Sequence, residues 1–101
     1  MKIIFNGVLY NTETAQLLGT YETCGDNRAR YVCESLYRKN NGEFFIAGEG
    51  GPLTDYATYT GDNTFSGGAT IYPIEENEAR FWVERHLTAE EYIAIFGEVP
   101  E

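Results

Sequence analysis

Apolar residues along this chain come in short β-branched and aromatic runs as far as Tyr72, and at three- to four-residue intervals after Pro73. The first pattern is that of strands and the second that of helices. Lys2 to Tyr10 reads as one strand and Asn11-Thr12-Glu13-Thr14 as a turn. Ala15 to Thr23 reads as a second strand returning beside the first, with Leu17, Gly19 and Tyr21 on one face and Leu18, Thr20 and Glu22 on the other. Cys24-Gly25-Asp26-Asn27 is a turn cluster. Ala29, Val32, Cys33 and Leu36 are spaced as on a helix, yet Leu36-Tyr37 lead straight into a hairpin, which predicts a short helical or irregular lead-in and then a strand. Asn40-Asn41-Gly42 supplies residues that tolerate positive φ between Leu36-Tyr37-Arg38 and Phe44-Phe45-Ile46. Gly48 to Pro52 predicts an irregular loop, Asp55 to Thr60 a further strand, and Gly61 to Gly68 a polar, glycine-rich connection. Thr70-Ile71-Tyr72 closes the sheet, and Pro73 is expected to end it.

From Glu75 the stripe Ala79, Trp82, Val83 and Leu87 marks a helix, with Glu76, Arg80 and Glu84 stacked at four-residue intervals outside it. A second helix starts at Thr88, where Thr88 and Glu91 fit a capping box, Leu87 and Tyr92 a hydrophobic staple, and Gly97 a C-terminal cap. Tyr92, Ile93 and Phe96 are expected to face the core. The fold class is therefore α+β: one domain, residues 1–101, with an antiparallel sheet of about four to six strands followed by two C-terminal helices packed on one face.

The charge changes this picture. The net value of −9 is uneven: residues 1–50 hold six acids against five bases, net −1, and residues 51–101 hold ten acids against Arg80 and Arg85, net −8. Such a field disfavours nucleic acid and anionic membranes, whose binding needs Lys and Arg, and suits a basic protein partner or solubility alone. The opening residues lack a signal peptide's apolar run, no window has the length of a membrane span, and two cysteines do not make a disulfide scaffold. A cytoplasmic setting with free Cys24 and Cys33 is expected, a bridge between them being the alternative.

Candidate chemistry is thin. The only histidine, His86, lies beside an apolar stripe and has no nucleophile in its motif, so a structural role is expected. One His and two Cys make no zinc set. Gly48-Glu49-Gly50-Gly51-Pro52 lacks the Lys-Ser/Thr of a phosphate loop, and Asp62-Asn63-Thr64 lacks the order of a calcium loop. No catalytic residue, metal or cofactor is assigned, and the chain is read as a binding protein. Two sets carry the interaction reading. The first is acidic: Glu75, Glu76, Glu78, Glu84, Glu90 and Glu91 on the helices, with Glu49, Asp55 and Asp62 before them. The second is Tyr56 and Tyr59, whose alternation puts one towards the core and one outward.

Tyr10-Asn11-Thr12-Glu13-Thr14-Ala15, Leu36-Tyr37 with Gly42-Glu43-Phe44-Phe45, and Gly48-Glu49-Gly50-Gly51-Pro52-Leu53-Thr54-Asp55-Tyr56-Ala57 together resemble a family of short acidic proteins carried on phages, plasmids and integrative elements of Firmicutes. Pro73-Ile74-Glu75-Glu76, Ala79 and Trp82 extend the resemblance, although Glu75 stands where that family often has a capping Ser. The resemblance implies a mobile-element setting in a bacterial host cell. Small acidic proteins in that setting are often inhibitors of host defence, such as anti-CRISPR or antirestriction proteins. A protein partner with a basic surface follows, a CRISPR effector or other defence nuclease among the candidates, with the chain a monomer or homodimer. An accessory protein binding another element-encoded protein, and a small ligand-binding domain, are the alternatives.

Overall fold

The computed structural model describes residues 1–23, 28–62 and 64–101. Its strands are β1 (Lys2–Phe5), β2 (Val8–Asn11), β3 (Gln16–Thr23), β4 (Val32–Arg38), β5 (Phe44–Gly50), β6 (Thr58–Gly61), β7 (Thr64–Ser66) and β8 (Gly68–Ile74). Two helices follow, α1 (Glu76–His86) and α2 (Ala89–Phe96). The main sheet is antiparallel in the order β3-β4-β5-β8, while β1-β2 and β6-β7 form separate two-stranded ribbons. The architecture is the α+β one expected, an antiparallel sheet followed by two helices.

The sheet is covered on both sides, which the sequence pattern did not reveal. On one face Leu36, Phe44 and Ile46 meet Ala79, Trp82 and Val83 of α1, with Leu18, Tyr21, Tyr92, Ile95 and Phe96 around them. On the other, Phe45 and Ile71 are closed over by Tyr10 from β2, together with Ile3 and Tyr37. Phe45, Leu36, Ile46 and Val83 are fully buried. Each contributes roughly 1.5–3 kcal/mol of transfer free energy.

Several local differences from the sequence pattern have identifiable causes. Lys2 to Tyr10 is two strands because Asn6 and Gly7, at φ 52° and 76°, make the tight turn that matches strand twist. The resulting pairs are Ile3 with Tyr10 and Ile4 with Leu9. A bulge between Leu17 and Gly19 separates Leu17 from the face it was expected to share with Gly19 and Tyr21. Leu18 therefore packs towards the helices and Leu17 is left exposed. Arg28–Arg30 is a single 3-10 turn leading into β4, as the ambiguous spacing there suggested. The turn cluster Cys24 to Asn27 lies outside the described residues, as does the Cys24 half of the bridge considered; Cys33 is a free thiol.

Gly48, Glu49 and Gly50 were expected to be loop and instead belong to central strand β5, paired to β4 and β8. The irregular segment starts at Gly51, and the strand expected from Asp55 begins only at Thr58. Pro73 sits inside β8 without ending it, because β8 is an edge strand and an unpaired side needs no N–H. In α2 the half-buried residues are Tyr92, Ile95 and Phe96; Ile93, expected inside, is exposed because the helix turns its i, i+3, i+4 stripe inward.

Candidate functional site

The start of α1 determines where the densest group of carboxylates stands. Glu75 is the N-cap, and its backbone N–H donates to Glu78 Oε1 at 3.1 Å while the Glu78 backbone N–H donates to Asn77 Oδ1 at 2.9 Å, so the cap is closed from the Glu78 side. Negative charge here also complements the helix dipole. One turn along, Glu76 accepts from Arg80 Nε and Nη2 at 3.0 and 2.9 Å. Arg80 Nη1 donates to the Tyr92 hydroxyl at 3.1 Å, so this guanidinium ties α1 to α2 and turns away from Glu84. The β4-β5 turn brings Glu43 to the same place, held by Lys39 at 2.9 Å. Lys39 and Asn41 as donors keep the Glu43 carboxyl below its usual range. Glu43, Glu75, Glu76 and Glu78 then line one groove of about 550 Å³ with Tyr10 and Phe44 at its base.

The other acids do not join that groove. Glu84 borders a shallow apolar depression between the helices, beside Leu87 and Ile93. Glu90 is exposed in the first turn of α2, and Glu91 is engaged in the Thr88 capping box, its backbone N–H donating to the Thr88 hydroxyl at 3.2 Å. Glu49 is exposed at the far end of β5, about 16 Å along the strand from Phe44. Asp55 is exposed in the 51–57 loop, and Asp62 forms the tip of the β6-β7 ribbon with φ 48°. Tyr59 is 60% exposed on that ribbon, edge-on to Phe65 at 5.4 Å. Tyr56 is half-buried against the sheet. The pair thus divides into one inward and one outward ring.

What Tyr56 touches is a centre that sequence reasoning missed. Glu34 projects from β4 onto the helix-covered face, where its Oε1 accepts from the single tryptophan, Trp82 Nε1, at 3.0 Å. Its Oε2 accepts from the Tyr56 hydroxyl in a short hydrogen bond and from the Tyr72 hydroxyl at 3.4 Å. Burial and the Glu34 carboxylate push the Tyr56 hydroxyl far above its usual value, and burial raises Tyr72 as well, so both stay protonated donors. Gly48 makes this possible: a Cβ there would occupy the space of the Tyr56 ring. Gly50 and Gly68 similarly admit Thr54 and the Tyr56 carbonyl. The glycine motif is therefore a bed for the 51–57 loop.

Beside Glu34, a cleft of about 450 Å³ opens between β8 and α1, walled by Tyr72, Phe81 and Trp82 and bordered by Glu78, Arg85 and His86. His86 stacks on Tyr21 with ring centroids 3.8 Å apart and meets Trp82 edge-on. Burial lowers its pKa from the ordinary value, outweighing the pull of Glu34 in the other direction. Among the described residues, no three His, Cys, Asp or Glu side chains gather as metal ligands. No described helix is long and apolar enough to cross a membrane. No family model, curated protein or solved structure matches the chain.

Proposed function

We propose that this chain is a non-enzymatic binding protein whose acidic groove engages a basic surface on a partner protein, and that the partner is a host-defence or nucleic-acid-handling protein which it inhibits. The observation that carries the reading is the groove of Glu43, Glu75, Glu76 and Glu78, four carboxylates of which two are paired with Lys39 and Arg80 outside the lining, in a chain of net charge −9. Carboxylates on a rigid helix start and a tight turn can take the place of phosphates against Arg and Lys, and the surrounding field speeds the encounter. The resemblance to small acidic mobile-element proteins favours defence nucleases, CRISPR effectors included, over other basic partners.

Guide or target binding by candidate effectors, measured with and without the protein at several salt concentrations, tests the reading. Glu75 and Glu78 hold the helix start, so the informative reversals are Glu43→Lys and Glu76→Lys, which lie outside that cap and replace an exposed ion pair by a like-charge pair with Lys39 or Arg80. Inhibition should weaken with salt and with these two reversals, and far less with Glu84→Lys and Glu90→Lys. Inhibition that is indifferent to all four reversals means charge is not the mechanism. Absence of binding to any nucleic-acid-handling protein removes the reading altogether.

A further inference from the structure

Glu34 is a half-buried carboxylate that has neutral hydrogen-bond donors and, among the described residues, no counter-cation. Among the described residues the ion pairs are Lys39–Glu43 and Arg80–Glu76, and neither reaches it. Carboxylates withdrawn from water are normally matched by a positive charge. Here the donors come from Trp82, Tyr56 and Tyr72, which fix the carboxylate's position without neutralising it. The three donors also leave unused acceptor capacity on a group with about four lone-pair sites.

The cleft beside this carboxylate has the features that select a planar cation. Its walls are the rings of Tyr72, Phe81 and Trp82, of which Phe81 is 59% exposed although it is a large apolar residue on α1. The Arg85 guanidinium already lies over the Phe81 ring at 5.6 Å, an intramolecular instance of the same contact. The charged lining residues are Glu34 and Glu78 against Arg85, which leaves the cleft one negative charge in excess. His86 does not offset it near neutral pH, because burial keeps the imidazole in its uncharged form.

We propose that the cleft between β8 and α1 receives the guanidinium of an arginine on the partner protein, with Glu34 as its anion and Tyr72, Phe81 and Trp82 as the aromatic walls. A guanidinium suits the site better than an ammonium: it stacks on ring faces, it is less strongly hydrated, and one of its N–H groups can reach the acceptor site left on Glu34 Oε1. The choice of a protein-borne arginine rests on the reading of a basic partner surface. The cleft itself is testable without any partner.

Trp82 is the only tryptophan, and its indole N–H bonds Glu34, so its amide-region NMR signal reports on the site directly. Titration with ethylguanidinium should move that signal saturably. Ethylammonium should move it less, and a blocked glycyl-arginyl-glycine peptide should bind at least as tightly as ethylguanidinium. Glu34→Gln, close in shape but uncharged, should abolish the saturable shift. Phe81→Ala, at an exposed position that leaves the core intact, should weaken binding by about threefold or more, whereas Glu84→Gln should leave it unchanged. An indole signal that is indifferent to ethylguanidinium, or equally responsive in Glu34→Gln, overturns the proposal. Equal response to ethylammonium overturns the guanidinium assignment, and tighter binding of free agmatine than of the peptide overturns the protein-borne source. None of these results depends on Glu43 or Glu76, so a failure here is separable from a failure of the acidic-groove reading.

Discussion

At Gly48 the ring of Tyr56 lies where a Cβ would stand, one of several contacts that hold the 51–57 loop on the sheet. Gly48→Ala is expected to lower stability by about 1–3 kcal/mol in urea unfolding. The same change made in a Tyr56→Ala background should add little, because the two residues share one contact. His86 makes a second prediction at this scale. Its folded pKa lies below its ordinary value of 6.5, so the unfolded chain binds the proton more readily. The contribution is complete above the ordinary value and is lost as pH falls through the folded one. An NMR titration of this only histidine should give a midpoint under 6.5, and the loss of stability in that acidic window should be smaller in His86→Phe. The residue-level chemistry was partly legible in advance. His86 beside an apolar stripe pointed to packing. Nothing local to Glu34, in contrast, set it apart from the other fifteen acids.

Individual elements divide by whether their determinants are local. The ends of α2 were readable because Thr88, Glu91 and Gly97 lie within one short segment, and its cap forms as the spacing required. Thr88→Ala should cost about 1 kcal/mol, measured by denaturant unfolding. The helix start at α1 was less legible, since a glutamate is an unusual cap. It works there because Glu78 closes the box from the other side. The β1-β2 ribbon was read as one strand although Asn6-Gly7 is a hairpin signal, because the apolar run continues through it. Gly7 has φ 76°, so Gly7→Ala should loosen the ribbon. Faster hydrogen exchange in β1 and β2, with β4 and β5 unaffected, is the expected result. The bulge at Leu17 and the proline inside β8 depend on which strands pair and which lie at an edge, and neither is a property of the segment alone.

For the molecule as a whole, the layering of helices, sheet and ribbon distributes stability between two clusters. Tyr10 closes the face opposite the helices, packing edge-on to Phe45 at 5.7 Å with Lys39 above its ring. Tyr10→Ala should therefore cost about 3 kcal/mol or more. Ile4→Ser, at a position 74% exposed on the same ribbon, should stay within about 0.5 kcal/mol. The radius of gyration of 15.1 Å exceeds the roughly 13 Å of a compact chain of this length. The two ribbons, β1-β2 and β6-β7, carry many of the exposed apolar side chains, among them Ile4, Phe5, Leu9, Tyr59 and Phe65.

By itself the sequence determined the α+β class, both C-terminal helices with the caps of the second, the hairpin at Gly42, and the placement of the negative charge after residue 50. These depend on periodicity, turn chemistry and composition, all short-range properties. Only the tertiary structure decided that the sheet is covered on both faces and that Glu43 joins Glu75, Glu76 and Glu78 in one groove while Glu49, Asp55 and Asp62 stand elsewhere. It also decided that Glu34, Tyr56, Tyr72 and Trp82 meet at one carboxylate. Those four residues come from β4, the 51–57 loop, β8 and α1, and only strand register and layer packing bring them within hydrogen-bond reach.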